Sequence, residues 1–114
     1  MAQMIVIYVT CESEEEAEKI ANDLLKRKLA ACVNIIPDIG SMYFWPPQTT
    51  QVDRSEECVL LLKTFEEHFD EIEEEIQRVH SYDVPAIFSL KIDQVSHSFL
   101  GWMKEQLKSS SPSV

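Results

Sequence analysis

Residues Met4–Ile36 read "MIVIYVTCESEEEAEKIANDLLKRKLAACVNII", and the hydrophobic period of this stretch changes twice. Met4–Thr10 is β-branched, aliphatic and aromatic over one strand's length, which predicts a strand buried on both faces. From Ser13 the period lengthens. Ala17, Ile20, Ala21, Leu24 and Leu25 recur at helical spacing and form a stripe for burial. Ser13 and Glu16 have the capping-box spacing, in which a hydroxyl and a carboxylate satisfy free amides of a first helical turn. Acids open this segment and Lys26, Arg27 and Lys28 close it, as the helix dipole favours. Ala31–Ile36 returns to strand character. The stretch is therefore a strand, a capped helix and a second strand.

Working outward, the same order recurs. Ser41–Trp45 looks extended and continues the second strand past Pro37 and Gly40. Pro46 and Pro47 stop regular pairing, and residues 46–55 are predicted as a polar loop. Glu56–Thr64 is a third strand. Thr64 and Glu67 repeat the capping spacing, and a second helix follows with the stripe Phe65, Phe69, Ile72, Ile76 and Val79. Ala86–Ile92 is a fourth strand and Ser96–Lys108 a closing helix. Residues 1–108 thus read as one domain, and 109–114 as a flexible tail with nothing to bury.

Two successive βαβ units with an extra C-terminal helix predict an α+β fold, the ferredoxin-like split βαβ sandwich. Right-handed crossovers put both long helices on one sheet face. The other face would be left without helices, although Ile5–Tyr8 and Val59–Leu62 are apolar on both sides. Long strands with an uncovered apolar face predict self-association.

Composition narrows the function. An apolar content of 45% suits a packed core in a chain of 114 residues, and the formal charge of −10 disfavours nucleic acid and anionic membranes as partners while leaving cations open. No apolar run approaches the roughly 20 residues that span a bilayer, and the N-terminal stretch does not read as a signal peptide. A cytoplasmic location is expected. Three cysteines, Cys11, Cys32 and Cys58, are too few and too odd a set for a disulfide framework. The acids between Glu66 and Glu75 read as a solvated helix face, which attracts metal ions only weakly because nothing there fixes a coordination geometry.

The candidate chemistry is sparse. His80 ends the acidic helix, either as a side chain favoured by the helix dipole or as a metal ligand or proton carrier. In the turn that follows, Pro85 forces Val84 into an extended conformation. Asp83 is a turn former there, and Tyr82 an anchor with its hydroxyl at the surface. Cys11, between the first strand and the capped helix, is either an inert thiol or a reactive thiolate and soft metal ligand. Cys32 and Cys58 lie inside apolar strands and read as core fillers. There is no CxxC, HExxH or GxSxG, and the two glycines, Gly40 and Gly101, cannot build a phosphate cradle. Nothing signals covalent or acid–base catalysis.

Read together, Ala31-Cys32-Val33-Asn34, Ser41-x-Tyr43-x-Trp45, Lys63-Thr64 and His80-x-Tyr82-Asp83-x-Pro85 make the chain resemble the CutA divalent-cation tolerance family over residues 3–108. The resemblance implies a ferredoxin-like homotrimer linked to tolerance of copper and other divalent metals, without enzyme activity. It also implies copper ligation by Cys11 and His80, completed by water, a neighbouring subunit or a carboxylate such as Asp83. The two residues are placed near an intersubunit cleft; they need not be neighbours within one subunit, and a meeting across the trimer interface is left open. The chain departs from the family pattern at Pro46-Pro47-Gln48 after Trp45, at Ser81 and at Ala86. The alternatives are a PII-like signalling module that binds a small effector, and a trimeric scaffold for an unidentified protein partner.

Overall fold

Strand β1 (Met4–Cys11) is interior to the sheet in the computed structural model, which describes residues 2–108. It pairs antiparallel with β3 (Val52–Phe65) on one side and β4 (Ile87–Lys91) on the other. β3 pairs antiparallel with β2 (Cys32–Phe44), so the sheet order is β2-β3-β1-β4. Helices α1 (Glu14–Lys26), α2 (Phe69–Val79) and α3 (His97–Lys108) complete the α+β arrangement in the predicted order. The tail expected at residues 109–114 lies outside the described residues.

One face of the sheet carries the main core. Ile5, Ile7, Val9 and Cys11 of β1 alternate inward and meet Leu60 and Leu62 of β3, with Ala17, Ile20 and Leu24 of α1 and Ile72 and Ile76 of α2 packed over them. Both long helices therefore share this face, and each large side chain buried there contributes about 1.5–3 kcal/mol. The stripes are narrower than predicted, because Leu25 and Val79 fall on exposed shoulders of their helices. Lys28 closes α1 in the left-handed region (φ 62°). Its amide donates to Leu25 O at 3.0 Å and that of Leu29 to Leu24 O at 3.0 Å, a helix stop usually given to glycine.

Two expectations fail for identifiable reasons. The loop after Trp45 is shorter than predicted, since β3 begins at Val52. Beyond a register shift between Ile36 and Ile39, Ser41–Phe44 pairs with Val52–Ser55 and prolongs β2 and β3 into a hairpin arm. Thr64 does not cap α2. The β1–β3 ladder runs on to Met4 and Phe65, and the Thr64 hydroxyl donates to Leu29 O at 2.6 Å. A short 3-10 turn, Glu66–His68, leads into α2 instead.

The second face is covered at one end only. Met103 and Leu107 of α3 pack with Met4 and Phe65, flanked by Val6, Phe99 and Leu100. This corrects the expectation of a wholly open face, and β1 accordingly alternates between buried and half-buried residues. Further along, Tyr8 and Phe88 stack at 4.8 Å. Phe88, Leu90 and Ile36 stay 47%, 52% and 44% exposed. On the arm, Met42 and Phe44 are 70% and 63% exposed. Cys32 is half-buried opposite Lys63, and so is no core filler, whereas Cys58 is buried.

Candidate metal centre

Three element ends converge beside the last residue of β1. Cys11 ends β1, Glu16 lies in the first turn of α1, and His80 is the C-terminal cap of α2. One thiol sulfur, one carboxylate oxygen and one imidazole nitrogen lie within 4.8 Å of one another, the one such group among the described residues. The topology explains the meeting. β1 and β4 are antiparallel neighbours, so the turn from α2 into β4 returns the chain to the C-terminal end of β1, where α1 also begins.

Local bonds set each side chain. Ser13 Oγ accepts the Glu16 amide at 3.2 Å, as the capping spacing predicts. The Glu16 carboxylate accepts the Glu12 amide at 2.9 Å and reaches across to accept the Ser81 amide at 2.8 Å. His80 leaves the helix with ψ 147° while its own amide still bonds Ile76 O at 2.9 Å. Its ring is wholly buried. Nδ1 accepts the Tyr82 amide at 3.0 Å, so Nε2 carries the proton and donates to Thr10 O at 2.8 Å. Glu16 Oε2 lies 3.8 Å from Nδ1. The Tyr82 hydroxyl, expected at the surface, donates to Glu57 at 2.6 Å.

Electrostatics follow from these contacts. Burial, then the carboxylate of Glu16, pushes the Cys11 thiol up to about 12, so it is protonated at neutral pH. Burial works against charge at Glu16 as well, yet the amides of Glu12 and Ser81 and the neighbouring His80 hold its carboxyl below the ordinary value. Burial and the bond to Glu57 raise the Tyr82 phenol.

Cys11 and His80 are thus brought together inside one chain, not across an interface. Asp83 is exposed and stands outside the group; the carboxylate there is Glu16. Glu16 was legible only as a capping residue, and its distance from His80 along the chain hid its second partner, Ser81. A shallow hollow of about 560 Å³ lined by Arg27, Leu29, Glu71 and Arg78 shares no residue with the group. Both of its arginines are already paired with Glu75, at 3.4 and 2.6 Å.

The donor types fit a transition metal. Thiolate and imidazole suit copper or zinc, while magnesium and calcium prefer oxygen shells. Each Glu16 oxygen keeps a lone pair beyond its amide bond. Taking an ion requires Cys11 to lose its proton and His80 to exchange one of its two hydrogen bonds for a metal bond.

The family model described as "CutA1 divalent ion tolerance protein" matches residues 5–106. A divalent-cation tolerance protein CutA from Archaeoglobus fulgidus is 40% identical over 102 residues, which is 90% of this chain and 96% of that one. The chloroplastic Protein CutA 1 of Oryza sativa is 38% identical over 93% of this chain, which spans 58% of that longer relative. Among solved structures, the divalent ion tolerance protein CutA1 from Ehrlichia chaffeensis superposes with a TM-score of 0.87 at 32% identity, covering 94% of this chain and 97% of that one.

Proposed function

The chain belongs to the CutA1 divalent ion tolerance family, and from that premise we propose that it is a homotrimeric, ferredoxin-like protein of metal tolerance that binds copper through Cys11, Glu16 and His80. The observation that carries the reading is the convergence of a sulfur, an oxygen and a nitrogen donor within 4.8 Å. A bound copper ion would supply the positive charge that stabilises a thiolate at Cys11. The protein's part is to hold the donors. The end of β1 fixes the sulfur, the α1 cap fixes the carboxylate, and Thr10 and Tyr82 fix the ring. The assembly is inferred from Phe88, Leu90, Met42 and Phe44, large apolar side chains that a single chain leaves exposed. No catalytic role is assigned.

One observation favours the rival reading of a trimeric scaffold without metal. Both ring nitrogens of His80 are already engaged within the chain. Equilibrium dialysis against copper, zinc and magnesium, with metal analysis, separates the two. Copper and zinc retained at one ion per chain, with magnesium lost, is the expected result. Retention of none of the three, or of all three equally, would leave the scaffold.

A further inference from the structure

The register of the sheet places two thiols face to face. Cys11 and Cys58 are direct partners on the antiparallel β1–β3 ladder. Both are free and buried, and both belong to the helix-covered core. Cys32 sits opposite Lys63 and faces no thiol across the strands. The Glu66 amide donates to Gln3 O at 2.9 Å, which marks Gln3 and Glu66 as a hydrogen-bonded pair just beyond Met4 and Phe65. Hydrogen-bonded and non-hydrogen-bonded pairs alternate along such a ladder, so the alternation makes Cys11 and Cys58 a hydrogen-bonded pair, with Cα atoms about 5.5 Å apart. That separation lies within disulfide range, but directly opposed Cβ atoms at about 4.5–5.5 Å are wider than the ~3.8 Å a disulfide prefers. A bond between them would form under strain and be readily reduced, the behaviour of a labile disulfide rather than a structural one. Cys11 is the last residue of β1, where a ladder can give most easily.

We propose that Cys11 and Cys58 are a redox pair that closes to an intrachain disulfide and, in closing, withdraws Cys11 from the donor group. The second half rests on the copper reading above. The oxidant is a low-molecular-weight disulfide. Cys58, which keeps a little exposure (5%) against none for Cys11, attacks as its thiolate. One S–S bond of the reagent breaks, a mixed disulfide forms, and one reagent thiol leaves. Cys11, giving up its proton as it attacks, then displaces the second reagent thiol from Cys58 and forms the Cys11–Cys58 bond. The two protons lost by the cysteines end on the two released thiols, and the two electrons reside in them, so the exchange balances. A disulfide sulfur carries no thiolate charge and is a poor ligand. The reduced protein is therefore the copper-binding form.

The test equilibrates the full chain in buffers of reduced and oxidised glutathione, then counts thiols after denaturation and maps peptides without reduction. Oxidised wild type is expected to keep one thiol, Cys32, to show a Cys11–Cys58 peptide, and to bind copper at least tenfold more weakly than the reduced protein. Cys58→Ser should form no intrachain bond and bind copper equally in both buffers, with Cys58→Ala in reserve if serine disturbs folding. Cys32→Ser should behave as wild type. Three thiols surviving in the oxidised buffer, or a bond that involves Cys32, would overturn the pair. A Cys11–Cys58 bond with copper affinity unchanged would overturn the gating. If reduced wild type binds no copper, the metal reading fails and takes the gating with it, while the thiol count still decides whether the pair closes.

Discussion

The end of β1 and the hairpin arm use opposite strategies. Around Cys11, Glu16 and His80, polar atoms are answered within one chain, and no buried side-chain nitrogen or oxygen among the described residues lacks a partner. Along Met42–Phe44, and on the open face at Phe88 and Leu90, one chain leaves large apolar side chains in water. The contrast teaches that the three donors meet within one chain, whereas the arm and the open face leave large apolar side chains uncovered. Metal binding and assembly should then be separable by mutation.

The largest effect should come from the open face. Phe88→Lys is expected to dissociate the proposed trimer, reducing the mass in light scattering to that of one chain while the far-ultraviolet circular dichroism persists. A trimer that survives this charge would break the contrast. On the covered face, Leu60→Ala should instead lower stability in urea by about 2–5 kcal/mol through the cavity it leaves, without first changing the mass.

A smaller, pH-dependent effect belongs to the surface of α2. The hydrogen bond from Arg78, with Arg27 nearby, pushes the Glu75 carboxyl down to about 2 from an ordinary 4.5. The folded pKa is the lower one, so between these values the unfolded chain binds more protons and stability rises with pH. Wild type should melt above Glu75→Gln at neutral pH. The gap should narrow as pH falls below 4.5 and close as it passes 2; a gap unchanged over that range would show that the ion pair does not act. Smallest of all, Lys28→Gly should stabilise by about 0.5–1 kcal/mol by relieving its left-handed backbone, read from the urea midpoint. A lower midpoint would mean that the lysine side chain matters more than its φ.

Much of the fold was legible in the sequence because local patterns and tertiary structure agree. The change of period across Met4–Ile36 marks a strand, a capped helix and a strand, and Ser13 does cap α1. Reading failed where a residue's partner is remote in sequence. Thr64 looked like a helix cap until the Leu29 carbonyl claimed its hydroxyl. Val52–Ser55 looked like loop because its polar residues pair only with Ser41–Phe44, beyond a bulge. At the site, Cys11 and His80 were picked out separately, but their proximity depends on β4 lying beside β1. Glu16 carried no sign of its bond to Ser81, sixty-five residues away along the chain.

The proposed copper site is tested most directly by competition with a chromogenic copper(I) chelator under reducing conditions. The titration is run on wild type, Cys11→Ser, Glu16→Gln, His80→Ala, the Cys11→Ser/His80→Ala double variant and Asp83→Asn. Each of the first three single variants should bind copper at least tenfold more weakly. The double variant should lose little more than either single one, because the residues act on one ion. Asp83→Asn, exposed and outside the group, should match wild type. Equal affinities across all six proteins would contradict the assignment and place any bound copper on the acidic surface or on other thiols.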